Sequence, residues 1–186
     1  GGGTSQCGQT IGEALIVDVS KHLNKILDFD AEAGTASVEP GIALDQLNAF
    51  LNPHGYMFTV DVSTSSRATI GGMTGNNSCG ARSIRYGTMR DNVRAIDALL
   101  TDASEYRFGE LPGDLSDSSL PSGYRYLEMP LLQLGDREAE EIFAPFPRLL
   151  RRAGGYTTTA LVPGAPNHTG GAQTHAETLT RQPPGP

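Results

Sequence analysis

Two stretches of the sequence are dense in glycine and short neutral polar residues, a composition typical of sites where backbone amides bind a ligand. The first, Gly1–Thr10, reads GGGTSQCGQT. Glycine lets the chain turn sharply and brings several N–H groups onto one anion, while Thr4 and Ser5 add hydroxyl donors. A phosphate or pyrophosphate site is one interpretation of this stretch. A flexible glycine-rich terminus is the other, and the motif alone leaves both open.

The arrangement of Gly1–Thr10 excludes two familiar nucleotide-binding motifs. It nearly matches the P-loop pattern G-x-x-x-x-G-K-[ST], but Gln9 stands where that motif has lysine, which removes the point charge on the β- and γ-phosphates. It also fails the Rossmann pattern G-x-G-x-x-G, because Gln6 occupies the position of the third glycine. We therefore expect any phosphate here to be bound by main-chain amides and hydroxyl groups.

The second glycine-rich stretch, Ala68–Gly80, reads ATIGGMTGNNSCG. Its glycines allow a planar ligand to approach the backbone closely. Its amide and hydroxyl side chains can donate and accept hydrogen bonds without adding charge. Such groups suit the edge of a flavin ring, which needs hydrogen bonds rather than charge neutralisation. The hydrolase motif G-x-S-x-G does not occur here, since Asn76 stands at the position of its first glycine.

Several side chains near these stretches admit either a functional or a structural role. Cys79 could be a reactive thiol, but a lone cysteine is more often a small buried apolar residue. Arg82, Arg85 and Arg90 either pair with carboxylates such as Asp91 or lie near an anionic substrate, and pairing is the preferred interpretation. The four histidines lack the spacing of metal ligands, so no metal site is predicted.

The composition fits one loop-rich α+β domain and argues against nucleic acid as a partner. The 186 residues include 23 glycines and 12 prolines, which suits such a domain better than a helix bundle. The formal net charge of −7 opposes binding to a polyanion. Two cysteines do not make a disulfide framework, and no apolar run approaches the roughly 20 residues of a membrane helix. We expect a cytoplasmic protein, with peripheral association with the inner membrane left open.

Hydrophobic periodicity predicts short strands and helices around the glycine-rich stretches. Val60–Tyr86 has no clean period and is predicted to be irregular. The predicted elements are a strand at Ala14–Val19, a hairpin of Asn24–Phe29 with Thr35–Val38, a helix containing Leu44, Leu47 and Leu51 that stops at Pro53 and Gly55, a hairpin of Asn92–Leu100 with Ser104–Phe108, a linker at Leu111–Ser122, and a charged helix at Asp136–Leu150.

These motifs, taken in order, resemble the flavoprotein family of vanillyl-alcohol-oxidase type, which has a PCMH-type FAD-binding domain. The closest likeness is the branch that contains D-lactate dehydrogenases, D-2-hydroxyglutarate dehydrogenases and the D component of glycolate oxidase. The resemblance runs from Gly1 to about Asn167. Its matching stretches are GGGTSQCGQTIG, IVDVSKHLNKIL, ASVEPGIALDQLNAFLNPHGYMF, DVSTSSRATIGGMTGNNSCGARSIRYGTMRDNV and RRAGGYTTTALVPGAPN.

The resemblance implies an α+β fold with a mixed or antiparallel sheet flanked by helices, in which FAD lies between two subdomains. Thr4 follows Gly3 where some relatives have a histidine that bonds to the flavin, so the implied FAD is non-covalent. By the same resemblance, the cofactor-binding residues are Gly1, Gly2, Gly3, Thr4, Ser5, Asp61, Ser63, Thr69, Ile70, Gly71, Gly72, Gly75, Asn76, Ser78, Cys79, Gly80 and Tyr86.

The implied activity is oxidation of a D-2-hydroxy acid, D-lactate or D-2-hydroxyglutarate, with hydride transfer to flavin N5 and an unspecified electron acceptor. No catalytic residue is expected in the chain, since in the family the base and the carboxylate clamp lie in a cap. The first subdomain is expected to be largely missing, residues 1–167 to form a partial FAD-binding domain, and residues 168–186 to be a disordered tail unlike the family.

Two other functions compete with this expectation. The chain could be an inactive truncated fragment that does not hold FAD stably, because losing one wall of a cofactor cleft removes contacts and exposes apolar surface. It could also keep the fold and change the chemistry, as in the enolpyruvyl-reductase relatives that use NADPH. The stretch SCGARSIRYG favours the hydroxyacid branch over these relatives.

Overall fold

A computed structural model describes residues 2–4, 12–110, 122–144, 158–162 and 180–181. Of residues 180–181 and of Tyr124 it describes the backbone only. The chain divides into two units, one of Gly1–Val93 with Ala172–Pro186 and one of Arg94–Gly171. Short helices and antiparallel two-stranded sheets make up the described part, which confirms the predicted α+β class.

An antiparallel hairpin opens the regular structure of the first unit. Strand β1, Ile26–Asp30, pairs with strand β2, Thr35–Val38. The Asp30 Oδ1 atom accepts the backbone N–H groups of Glu32 and Ala33, both at 2.8 Å, which closes the turn. Both strands and the turn agree with the prediction.

Helix α1, Leu44–Leu51, follows and buries the leucines that predicted it. It ends in a single 3-10 turn, Asn52–His54, and then at Gly55, which has a left-handed φ of 78°. The predicted stop at Pro53 and Gly55 is therefore confirmed. Asn48 fastens the helix to the next segment, since its Oδ1 accepts the N–H of Phe58 at 2.7 Å.

One apolar core lies between α1 and the segments that follow it. Strand β3, Tyr56–Met57, pairs with the two-residue strand Thr180–Arg181 and leads into the buried residues 58–60. The core consists of Ile42, Leu44, Leu47, Leu51, Tyr56, Phe58, Val60, Ala68, Ile70, Met73 and Met89. Ile70 and Met73 come from the second glycine-rich stretch, so the core itself positions that stretch.

Three short helices occupy the region after β3: α2 at Ile70–Gly75, α3 at Ser83–Tyr86 and α4 at Met89–Asn92. The prediction that Val60–Tyr86 is irregular was therefore wrong for α2 and α3. Helices of six and four residues are too short to show a period in the sequence. They form because tertiary packing holds them, which propensity alone does not reveal.

The strand predicted at Ala14–Val19 does not form. The structure assigns no regular element to these residues, and the side chains of Leu15, Ile16 and Val17 are exposed. A β-branched run becomes a strand only when another strand supplies hydrogen bonds, and in the described part of the chain no strand pairs with this run. The run is apolar, as the sequence shows, but the prediction that it forms a strand was wrong.

The second unit begins with a hairpin of strands β4, Ile96–Leu99, and β5, Glu105–Phe108. It confirms the second predicted hairpin, although β4 starts later than Asn92 because α4 extends through that residue. Asp102 shapes the turn, since its Oδ1 accepts the hydroxyl of Ser104 at 2.6 Å and the N–H of Ser104 at 3.0 Å.

This turn gives a pH-dependent prediction. The Ser104 hydroxyl, and then its N–H, hold the pKa of Asp102 below its usual value. Because the folded pKa is lowered, the turn contributes stability above the unfolded pKa and loses it as the pH falls through the folded pKa. In an NMR titration of the Asp102 carboxyl carbon, Ser104→Ala should raise the pKa toward that of a free aspartate. An unchanged midpoint would contradict the assignment.

Helices end the described part of the second unit. A π-helical turn, Tyr124–Glu128, leads into α5, Met129–Arg137, and α6, Ala139–Phe143. The predicted charged helix, which was expected to start at Asp136, thus starts about two turns too late, and the helix is broken at Glu138. A 3-10 turn covers Thr158–Leu161. Residues 145–150 lie outside the described residues, as does the predicted linker Leu111–Ser122 except for Ser122, which is helical. No described helix has the length and apolarity required to cross a membrane.

Candidate cofactor-binding site

The first glycine-rich stretch contacts the loop that precedes α2. Of its predicted site residues, Gly2, Gly3 and Thr4 are described, while Gly1 and Ser5 lie outside the described residues. A β-carbon added to Gly2 would lie 2.7 Å from the Thr64 hydroxyl oxygen, so only glycine fits there without displacing Thr64. Gly3 has a φ of 65°, a conformation that glycine adopts without strain.

The second glycine-rich stretch contacts the same loop three residues earlier, at Asp61. A β-carbon on Gly80 would overlap the Asp61 carbonyl oxygen and crowd its carboxylate. Asp61 Oδ1 also accepts the backbone N–H of Arg82 at 3.0 Å. The two stretches therefore both contact the short segment Asp61–Thr64, although Gly2 and Gly80 are 78 positions apart in the chain.

Backbone hydrogen bonds join the start of α2 to the segment that immediately precedes α1. The N–H groups of Ile70 and Gly71 donate to the carbonyls of Ile42 and Pro40, at 2.9 and 2.8 Å. The side chain of Thr69 accepts the N–H of Gly72 at 3.4 Å. The amides of Ile70, Gly71 and Gly72 therefore already donate hydrogen bonds within the chain. The Ile70 side chain lies in the core. Any contact that these three predicted site residues make with a ligand must use carbonyls or the glycine Cα atoms.

The turn after α2 is fixed by its own side chains and by α4. Asn77 has a left-handed φ of 47°, and its Oδ1 accepts the N–H of Arg90 at 2.9 Å. The Ser78 N–H donates to the Met73 carbonyl at 2.8 Å, and its carbonyl accepts the N–H of Met89 at 3.0 Å. Asn76 is exposed and Cys79 is half-buried, so Cys79 is not the buried apolar residue that its type suggested.

A buried amide holds the segment that carries Tyr86. Asn92 is 6% exposed, and its Nδ2 donates to the carbonyls of Tyr86 and Thr88, at 2.9 and 2.8 Å. The Thr59 hydroxyl donates to Asn92 Oδ1 at 3.4 Å. Neither Asn92 nor Thr59 was among the predicted site residues. An asparagine in a polar sequence gives no sign that its amide is buried.

The three arginines near the turn differ in their partners. Arg90 lies 3.8 Å from Asp91, which agrees with the predicted pairing. The Arg85 guanidinium lies 5.3 Å from the centre of the Tyr86 ring, a cation–π distance. Among the described residues neither the Arg82 nor the Arg85 guanidinium forms an ion pair with a carboxylate. The predicted pairing therefore holds for one arginine of the three.

Ser83 is a further residue that sequence reasoning missed. Its side chain is buried, and its hydroxyl oxygen accepts the Gly80 N–H at 2.9 Å. The Gly80 carbonyl in turn accepts the Ser83 N–H at 3.1 Å. These two bonds close the Gly80–Ser83 turn on itself. The signal in the sequence, a serine three residues after a glycine, is too common to single this pair out.

Comparison with known proteins relates the chain to a recognised family. A family model described as "FAD binding domain" matches residues 1–109. The D-2-hydroxyglutarate dehydrogenases of Pantoea ananatis and Escherichia coli K12 are each 36% identical over 160 residues, which cover 84% of this chain and 16% of each relative. Glycolate oxidase subunit GlcD of Bacillus subtilis is 39% identical over 111 residues, covering 59% of this chain and 23% of that protein.

Proposed function

Because the chain belongs to the FAD binding domain family, we propose that it is the flavin-holding part of an oxidoreductase that acts on a D-2-hydroxy acid. The chain spans about one sixth of the length of its D-2-hydroxyglutarate dehydrogenase relatives. One observation carries the proposal: Gly2 and Gly80, from two glycine-rich stretches distant in sequence, both contact Asp61–Thr64 where a side chain would not fit.

The residues present fit the cofactor in two respects. Gly2 and Gly80 lie against Thr64 and Asp61 with no room for side chains, so both glycine-rich stretches approach one loop of the chain closely. The loop itself carries the neutral hydroxyl groups of Ser63 and Thr64. In this proposal the binding residues are Gly1, Gly2, Gly3, Thr4, Ser5, Asp61, Ser63, Thr69, Ile70, Gly71, Gly72, Gly75, Asn76, Ser78, Cys79, Gly80 and Tyr86.

The stretch from Gly1 to Ser5 would bind the pyrophosphate through amides and hydroxyl groups, without lysine or arginine. The flavin would be held non-covalently, since Thr4 has no group that forms a bond to the flavin ring at the position after Gly3. Acid precipitation of the loaded protein should therefore release all of the flavin into the supernatant. Yellow colour retained in the pellet would contradict this mode of binding.

The bound flavin would supply the acceptor for the hydride that leaves the substrate Cα. The residues of this chain would orient the ring and exclude water from one side of it. The base that removes the hydroxyl proton, and the groups that bind the substrate carboxylate, lie outside these 186 residues in this proposal. The chain alone should accordingly bind FAD without oxidising D-lactate or D-2-hydroxyglutarate.

An FAD titration tests the proposal. Flavin emission should quench saturably, with one FAD per chain, and FMN should bind at least about tenfold more weakly because it lacks the adenylate half. Since neutral donors bind the pyrophosphate, the affinity should change by no more than about threefold between low and moderate salt. Unsaturable quenching, or equal binding of FAD and FMN, would refute the function.

One observation favours the competing function, an inactive fragment that does not hold FAD. Leu15, Ile16 and Val17 are 92%, 85% and 72% exposed, a contiguous apolar run of the kind that a further layer of protein normally covers. The same titration separates the two functions, because a chain lacking part of its cofactor cleft would bind FAD and FMN equally poorly.

A further inference from the structure

We propose that Asp61 and Ser83 are positioning residues for the flavin. They bind the amides of Arg82 and Gly80 and so leave the amides of Cys79 and Ala81 to donate to the cofactor. This inference rests on the proposed function and names the donor atoms of that site. Ser83 was not among the residues implied by the family resemblance, and Asp61 was expected to line the site rather than to shape it.

The four consecutive amides of Cys79–Arg82 divide into two bonded and two unbonded groups. The Gly80 N–H donates to the Ser83 hydroxyl at 2.9 Å, and the Arg82 N–H donates to Asp61 Oδ1 at 3.0 Å. Within the described part of the chain, the Cys79 and Ala81 N–H groups have no hydrogen-bond partner. Cys79 is half-buried and Ala81 exposed, so a ligand can reach this turn.

The backbone amides that precede Cys79 in the second glycine-rich stretch differ from those of Cys79 and Ala81, because most of them already have partners inside the chain. Donors with partners in the chain include the N–H groups of Ile70, Gly71, Gly72, Met73, Asn76, Asn77 and Ser78. A backbone donor that binds another group cannot serve a ligand at the same time. Near the end of this stretch, the donors that remain for a ligand are the N–H groups of Cys79 and Ala81.

Two side chains hold this arrangement rigidly. Ser83 is 5% exposed, so water does not compete for its hydroxyl. Asp61 lies so close to Gly80 that a methyl group added to Gly80 would overlap the Asp61 carbonyl oxygen, and neither residue can shift. Preorganised donors lose little freedom when a ligand binds, and affinity rises accordingly.

The charge of Asp61 selects which part of FAD these amides meet. A carboxylate that binds the Arg82 amide sits beside the turn, and it would repel a pyrophosphate in a partly desolvated site. The neutral carbonyl oxygens and ring nitrogens of the flavin suffer no such repulsion. The Cys79 and Ala81 amides therefore suit the edge of the flavin ring, and the Gly1–Ser5 stretch suits the pyrophosphate.

Amide hydrogen exchange followed by NMR tests the inference on the full chain. Without FAD, the Gly80 and Arg82 amides should exchange slowly and the Cys79 and Ala81 amides quickly. Saturation with FAD should slow the latter pair at least about tenfold. If FAD binds by fluorescence and neither amide slows, the inference is overturned and the proposed function stands. If FAD does not bind, both fail.

Three variants test the positioning roles. Asp61→Ala and Ser83→Ala should each weaken FAD binding about tenfold, the effect of one lost hydrogen bond. Asp61→Asn should stay within about threefold of the original affinity, because its amide oxygen can accept the same N–H. Asp102→Ala, which removes a carboxylate-to-amide bond of the same 3.0 Å length in the second unit, should not change FAD affinity. Equal losses in Asp61→Asn and Asp61→Ala would overturn the positioning role.

Discussion

Gly80→Ala should abolish measurable FAD binding and lower the free energy of unfolding by about 3 kcal/mol, the upper end of the usual cost of overpacking. The added β-carbon would overlap the carbonyl oxygen of Asp61. That oxygen belongs to the backbone, so it cannot rotate away as a side chain would. Thermal and denaturant unfolding of the variant, together with an FAD titration, measure both effects.

The matched control for this variant is Gly109→Ala. A β-carbon there would lie 3.6 Å from the Ala95 β-carbon, an ordinary van der Waals contact, and Gly109 is far from the glycine-rich stretches in sequence. We expect its unfolding free energy to change by less than about 0.5 kcal/mol and its FAD affinity to stay the same. If Gly80→Ala behaves like this control, the Asp61–Gly80 contact does not define the site.

Asn92→Ala should cost about 2–4 kcal/mol of unfolding free energy, which is the second large effect that we expect. Its amide group is buried and bonds to Thr59, Tyr86 and Thr88. Alanine would remove the donor to the Tyr86 carbonyl and the acceptor of the buried Thr59 hydroxyl, whereas the Thr88 carbonyl keeps the N–H of Asp91. Each group left unsatisfied costs about 1–3 kcal/mol. Because the Tyr86 carbonyl loses its anchor, FAD affinity should also fall. Urea denaturation monitored by circular dichroism gives the first value and fluorescence titration the second.

Asn24→Ala is the control for this effect. The Asn24 amide also donates to a backbone carbonyl, that of Ser20 at 2.8 Å, but in an exposed position where water can replace it. We expect a change of at most about 0.5 kcal/mol. A similar loss of stability in both variants would mean that burial of the Asn92 amide is not what makes it important.

The elements that could be predicted from the sequence are those with a local cause. Asp30 closes the turn of the first hairpin through its own side chain, and the hairpin formed where expected. Helix α1 shows its apolar spacing over eight residues. By contrast, α2 contains three glycines and depends on backbone bonds to Ile42 and Pro40, which lie about 30 residues earlier in the chain. No local pattern encodes bonds of that kind.

In the candidate site, too, the sequence indicated which residue types are present but not which contacts they make. Glycine density and the family resemblance identified the two stretches, including Gly2 and Gly80. Their meeting point at Asp61–Thr64 depends on the path of the backbone through the first unit. Ser83 escaped notice because its importance comes from the amide that it binds rather than from its own chemistry. Sequence thus indicated which ligand to expect, and the structure was needed to show which backbone amides already have partners within the chain.

The uncovered residues Leu15, Ile16 and Val17 set a practical limit on work with the isolated chain. A β-branched segment that has no neighbouring strand in the described part of the chain is a template on which other molecules can add strands and grow into aggregates. Aggregation, seen as turbidity at high protein concentration, would then limit a preparation before thermal unfolding does. Dilute samples at low temperature, where hydrophobic association weakens, would keep the chain monodisperse.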